Sequence, residues 1–257
     1  MGQPEFKGNY ARKQLYSPVR MIAWSHGSRF KKACRLVAPF AGGRLLDYGC
    51  GDGTFLQMAA ADFPNALGVD ASASQNADCA ARLSGMKGLS FKLIKDLADP
   101  AFAGAFNLIV CMEVLEHCPE EIVDQVIGEL KRAAAPEAKI IISVPIEIGP
   151  TLVIKQTFRR IAGWRSVGDY KWADVYSWRE MWRSVFAGKD TVLERKRLSG
   201  EWSPGETYEF HTHRGFNWRA LRQKLGRHFK IDATHFTPLN ALGGMFSSQA
   251  WIICEKV

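Results

Sequence analysis

Residues 45–53 read Leu-Leu-Asp-Tyr-Gly-Cys-Gly-Asp-Gly, and they constrain the fold more than any other stretch of the chain. An apolar run reaches Asp47 and gives way to glycines at 49, 51 and 53. Without a Cβ, these glycines reach positive φ and let backbone N–H groups and the start of a following helix close on a ligand. Such a turn is built to hold a nucleoside-bearing cofactor.

The spacing narrows the choice of cofactor. A dinucleotide fingerprint needs a third small residue three positions after the second glycine, where this chain has Thr54. Downstream, a helical stretch over 54–62 precedes a short strand over 66–69 that ends on Asp70. A third strand over 91–95 leads to Asp96, a fourth over 106–112 leads to Glu-Val-Leu-Glu-His, and a fifth over 139–144 is closed by Pro145. Residues 229–235 and 249–255 read as the last two strands. An acid at a strand end can accept hydrogen bonds from two vicinal ribose hydroxyls.

An acid followed by G-x-G-x-G, with further acids in this order, resembles motif I and its successors in the class I S-adenosylmethionine (SAM) dependent methyltransferases of the type 11 kind. The resemblance runs from Arg44 to Val257. It implies an α/β fold, a Rossmann-like seven-stranded sheet whose last strand is antiparallel. Residues 1–43 would form an N-terminal helical arm and 44–257 the methyltransferase domain, with a cap inserted over 146–210 after strand five. It also implies SAM as cofactor, held by Asp47, Gly49, Cys50, Gly51, Gly53, Asp70, Ala71, Asp96, Leu97 and Met112. Asp70 would take the ribose and Asp96 the adenine amino group.

Glu113, Glu116 and His117 form the sharpest catalytic constellation. If the chain turns helical after the fourth strand, positions i, i+3 and i+4 share one face beside the strand ends. Two carboxylates and an imidazole suit a divalent cation. The Glu-x-x-Glu-His pattern is shared with ubiquinone-pathway O-methyltransferases and small-RNA 2′-O-methyltransferases. His211-Thr-His213 resembles the segment that completes the metal site in the RNA enzymes, although Thr212 stands where those carry an acid. The resemblance thus implies Mg²⁺ or another divalent cation at Glu113, Glu116, His117 and His213. The metal-free alternative makes the first three a packing helix, with His117 or His213 as general base. Both routes favour oxygen as methyl acceptor.

The net charge of +8 is unevenly spread. Residues 7–44 carry nine basic residues and no acid, 45–150 carry seven basic and fifteen acidic, and 151–200 carry eleven basic and five acidic. Arm and cap are therefore the segments suited to an anionic partner, a membrane surface or a nucleic acid. Within 146–210, Trp164, Trp172, Trp178, Trp182 and Trp202 interleave with lysines and arginines. Residues 150–164 read as an interfacial helix, and a small helical cap with tryptophan in its core accounts for the same composition. Amphipathic helices broken near Ser17-Pro18 are expected in the arm, with Tyr10, Arg12, Lys13 and His26 as lid candidates.

Six cysteines show no C-x-x-C pair, which points to reduced thiols, and no run of eighteen apolar residues exists. A cytoplasmic protein, peripheral on the inner face of a membrane, is expected. The leading reading is SAM-dependent O-methylation of a small or lipid-linked acceptor, glycan or quinone-like. Its rivals are metal-dependent 2′-O-methylation of RNA and a SAM-binding module without catalysis.

Overall fold

The computed structural model describes residues 6, 8, 11–16, 20–164, 176–203 and 206–257. The first three strands are β1 (Arg44–Tyr48), β2 (Asn65–Asp70) and β3 (Leu89–Leu93), followed by β4 (Phe106–Met112) and β5 (Ala134–Pro145). An antiparallel ribbon of β6 (Arg197–Ser203) and β7 (Glu206–His211) stands apart from them. β8 (Lys230–Thr237) and β9 (Gln249–Glu255) complete a seven-stranded sheet in the order β3-β2-β1-β4-β5-β9-β8.

β1 to β5 pair in parallel, and β9 runs antiparallel to both β5 and β8. The expected Rossmann-like sheet with an antiparallel last strand is the one observed. Runs such as Leu-Ile-Val-Cys in β4 and Ile-Ile-Ile in β5 are apolar at every position because both faces of these interior strands are covered. Alternation decides which face each residue takes. Leu46, Ile109 and Ile140 pack with α4 (Glu120–Ala133) and α7 (Trp218–Leu225). Leu45, Leu108 and Ile141 pack with α1 (Arg20–Val37) and α2 (Thr54–Ala59). In α4, Val123, Val126, Ile127 and Leu130 make the buried stripe, with acids in its first turn and cations in its last. The strand order reverses between β1 and β4, so their carboxyl ends open a crevice, the usual ligand position in such sheets.

Some boundaries differ from the sequence expectation. β3 begins and ends two residues early, because 94–98 tighten into a 3₁₀ turn whose Asp96 carboxylate accepts the Leu93 N–H at 3.0 Å. α2 stops at Ala59, three residues short. The arm forms a helical turn, Ala11–Leu15, and then α1. After β5 come α5 (Pro150–Trp164) and α6 (Trp178–Val185), then the ribbon. A cap with tryptophan in its core does not hold for the tryptophans whose side chains are described there. Trp178 is 78% and Trp182 57% exposed, since α6 is short and turns its polar Ser184 inward. The side chains of Trp164, Trp172 and Trp202 lie outside the described residues. Among the described residues, no helix is long and apolar enough to cross a membrane.

Candidate active site

The glycine loop leaves β1 and turns over the end of β2. Gly49 and Cys50 N–H groups donate to the Val69 carbonyl at 2.8 and 3.0 Å, which pins the turn to the neighbouring strand. Gly49 has φ +76°, and a Cβ there would lie 2.3 Å from Val114 Cγ2, so both backbone and space demand glycine. Asp70 accepts the Gly51 N–H at 3.0 Å and the Ser72 N–H at 2.9 Å. Its first duty is thus to hold the loop and the start of α3 (Ala73–Arg82) in place.

A cleft of about 690 Å³ opens above this loop, a size suited to a nucleoside-bearing ligand. Asp47, Gly49, Cys50, Gly51 and Met112 line it, as do Arg29 and Glu113. Gly53, Asp70, Ala71, Asp96 and Leu97 are not part of this wall. Leu97 is 1% exposed within the main core, and the Asp96 carboxylate is engaged with Leu93. Burial first, and then the Asp70 charge, push the Asp47 carboxyl up to about 8. Its Oδ2 is buried with no hydrogen-bond partner. An ammonium group such as that of SAM would supply the missing donor, so the residues present fit that cofactor. The arm closes one side. Ala11 N–H donates to Asp52 Oδ2 at 3.2 Å, and a Cβ on Gly8 would lie 2.0 Å from that oxygen.

The segment after β4 is not a helix, so the expected single face for Glu113, Glu116 and His117 does not form. Glu113 takes φ +56°, which breaks helical continuity. Its carboxylate turns to the cofactor cleft, where Arg29 pairs with it at 3.1 Å and Gln249 Nε2 donates at 2.8 Å. Glu116 and His117 face the other way and meet His213. Donor atoms of these three lie within 4.8 Å of one another, and Glu113 is not in the group.

Within this cluster, His117 Nε2 and His213 Nε2 are 3.2 Å apart. Glu116 Oε1 lies 3.9 Å from the first and 4.0 Å from the second. His117 Nδ1 is 2.9 Å from the His211 carbonyl, which can only accept, so Nδ1 carries hydrogen and neutral His117 presents a lone pair at Nε2. The His117 carbonyl in turn accepts the His211 N–H at 2.8 Å. Glu116 is 0% exposed, and neither carboxylate oxygen has a hydrogen-bond partner. Burial, reinforced by Glu113, pushes its carboxyl well above the usual range. Burial also lowers the His213 imidazole to about 4.

Two side chains beside the cluster, Arg195 and Glu147, and one in the cofactor cleft, Arg29, escaped the sequence reading. Arg195 donates to the carbonyls of Glu116 and Thr212 and lies over the Phe216 ring, bridging the two loops that carry the histidines. Glu147, 1% exposed, receives Lys155 at 2.9 Å and Arg159 at 3.2 Å, tying α5 to the end of β5. Burial alone would raise its carboxyl, but these cations outweigh burial and hold it below the usual range. Arg29 had a legible signal, since it falls on the helical stripe of Ala33 and Val37, both buried. Of the proposed lid residues, Arg12 is exposed and His26 half-buried, while Tyr10 and the Lys13 side chain lie outside the described residues.

A glycine loop at the switch point of this sheet is the arrangement of a class I SAM-dependent methyltransferase. The profile of a family described as a methyltransferase domain matches residues 25–186, and the chain belongs to that family. It is 27% identical to the ubiquinone biosynthesis O-methyltransferase of Caulobacter vibrioides over 219 residues, covering 77% of this chain and 81% of that one. The enzyme of the same name from Ralstonia nicotianae is 34% identical over 124 residues, 42% of this chain and 50% of that one, so the chain spans about half of that relative. Among solved structures, a protein from Pyrococcus horikoshii superposes with TM-score 0.60 at 14% identity, covering 98% and 100% of the two chains. Magnesium protoporphyrin IX methyltransferase from Synechocystis, with bound SAH, superposes with TM-score 0.55 at 17% identity, covering 100% and 90%.

Proposed function

We propose that this methyltransferase acts on an oxygen of a small or lipid-linked acceptor, a glycan hydroxyl or quinone-like phenol. The observation that carries this reading is the buried Glu116 carboxyl, unsatisfied beside two imidazoles at the carboxyl end of the sheet. The O-methyltransferase names of the relatives support it. SAM, when bound, supplies an electrophilic methyl on a sulfonium. As the acceptor O–H becomes O–CH₃, its proton must leave. His117 Nε2 is the base, kept in the accepting tautomer by the bond from Nδ1 to the His211 carbonyl. The cap around α5 and α6 and the helical arm select the acceptor.

The same residues fit a divalent cation, and with Glu113 outside the set their two imidazoles and one carboxylate suit a transition ion such as Zn²⁺ better than the expected Mg²⁺. Glu116, His117 and His213 would hold it, and the fit rests on the orphaned Glu116 oxygens and on the second ring nitrogen of His117, bonded to a carbonyl as in metal-binding histidines. A cation there would orient an acceptor hydroxyl and lower its pKa. Glu113, engaged by Arg29 and Gln249, is left out of that set.

The test is transfer of labelled methyl from SAM into separated lipid, small-molecule and RNA fractions of a cell extract, with and without a chelator. Label in lipid or small molecules is expected. Label confined to RNA would replace this reading with 2′-O-methylation, and SAM binding without transfer would leave a binding module. Chelator-resistant transfer would remove the cation and keep the histidine base.

A further inference from the structure

Exposed apolar side chains are not scattered over this molecule. Among the described residues, nine of the fourteen exposed large hydrophobic side chains belong to three adjoining elements. α5 contributes Val153 and Ile154, while Trp178, Trp182 and Phe186 come from α6 and the residue that ends it. Leu239, Leu242, Met245 and Phe246 come from a helical turn, Asn240–Met245, and its flanks, between β8 and β9. The elements touch. Thr151 Oγ1 at the start of α5 donates to the Met245 carbonyl at 2.6 Å. A groove of about 210 Å³ between α5 and α6 is walled by Val153, Tyr176, Trp178 and Trp182. Trp182 and Phe186 stack with ring centroids 5.5 Å apart.

Charge on this face has one sign. Residues 238–248 include no ionisable side chain. α5 and α6 carry five cations and one acid, Glu180, which Arg214 and the N-terminal cap of α6 occupy. Lys155 and Arg159 are spent on buried Glu147. Arg160, Arg179 and Arg183 remain on the exposed surface. An uncharged apolar turn beside exposed tryptophans and arginines has the composition of an interfacial anchor, with aliphatic groups at the acyl boundary and cations at headgroups.

We propose that the turn Asn240–Met245, together with the outer faces of α5 and α6, docks this protein on an anionic lipid bilayer. The partner is selected by charge complementarity. A second copy meeting this face about a two-fold axis would set the three arginines against themselves. Single-stranded RNA would satisfy the arginines but leave Leu239, Leu242 and Met245 without the ring stacking through which RNA is held. The face also adjoins the candidate active site, since α5 is tied to Glu147 at the end of β5. The inference deepens the reading of a lipid-linked acceptor and rests on it for its purpose.

The experiment is co-sedimentation of the full chain with vesicles of phosphatidylcholine alone and of phosphatidylcholine mixed with phosphatidylglycerol, without acceptor. Wild type is expected to partition onto the mixed vesicles and far less onto the neutral ones. Leu242→Ser with Met245→Ser should lose at least about tenfold in partition. Arg160→Gln with Arg179→Gln should lose roughly thirtyfold, as two surface cations would. Both pairs should keep the melting temperature and the SAM affinity of wild type. Equal partition onto both vesicles, no partition onto either, or variants that bind like wild type would overturn the proposal. So would light scattering that shows a wild-type dimer converted to monomer by the Leu242 and Met245 changes. Because acceptor is absent, failure to sediment leaves the O-methylation reading standing. Label in soluble small molecules with intact sedimentation would instead unseat only the lipid-linked acceptor.

Discussion

The cofactor cleft and the histidine cluster lie at the same end of one sheet, yet they are built differently. The floor of the cleft is a contiguous stretch, 47–54, whose backbone N–H groups are met by Val69 and Asp70 at the end of β2 and by Cys50 and Asp52 within the loop, while Arg29, Met112 and Glu113 complete the wall. The cluster joins Glu116 and His117 to His213, nearly a hundred residues away, and holds a buried carboxyl with both oxygens unsatisfied. A structure can carry such a group only where the rest of the fold offsets its cost, roughly 1–3 kcal/mol for one unsatisfied buried group. The cleft leaves a single Asp47 oxygen for a ligand's donor, whereas the cluster leaves both oxygens of one carboxyl for a proton or a cation.

That contrast breaks most sharply at Glu116. Glu116→Gln keeps the shape of the protonated acid, so fold and SAM affinity should stay near wild type while methyl transfer falls by about 10³. Full activity in this variant would remove the cation reading and leave His117 as the base. Next comes Asp70→Ala, which deletes two bonds from backbone N–H groups to a carboxylate. SAM affinity by calorimetry should drop about a hundredfold, with turnover at saturating SAM much less affected. An unchanged affinity would show that the loop holds without Asp70. A smaller effect is expected at Arg195, which joins the two histidine-bearing loops through their carbonyls. Arg195→Ala should lower kcat about tenfold at constant SAM affinity, and Arg195→Lys should recover part of it. A change confined to melting temperature would reduce Arg195 to a structural brace.

The difference also explains what could be read from the sequence. The strands and the glycine loop were legible because each rests on local pattern, apolar runs, glycine spacing and an acid at a strand end, whereas the antiparallel last strand followed only from the family resemblance. β9 fell on the expected residues, 249–255. Glu113 was misread because one positive φ turns it from its neighbours, and nothing in Glu-Val-Leu-Glu-His announces that turn. His211 and His213 were marked as a pair, but the structure divides their roles. His211 lends a backbone carbonyl to His117, and His213 brings its ring. Arg195 and Glu147 were invisible because their partners are backbone carbonyls or side chains of a different element. The exposed turn before β9 escaped notice for the opposite reason: a short uncharged stretch with glycines reads as an ordinary loop until its side chains are seen to face outward.

The smallest expected effect concerns the arm that closes the cleft. Burial, assisted by Arg29, lowers the His26 imidazole from 6.5 to about 4. The unfolded chain therefore takes up a proton below pH 6.5 that the folded chain refuses until about pH 4. Stability linked to His26 is fully present above that window and declines as pH falls through it. His26→Gln should make the loss of stability between neutral pH and pH 5 shallower in urea titrations, while leaving the midpoint at pH 8 changed only by lost packing. The His117–His213 cluster offers a second titrating imidazole in the same range, so the His26→Gln and His213→Gln effects should add if the arm and the cluster are independent. A double variant whose pH response departs from that sum would show that closing the cofactor cleft is coupled to the state of the histidine cluster.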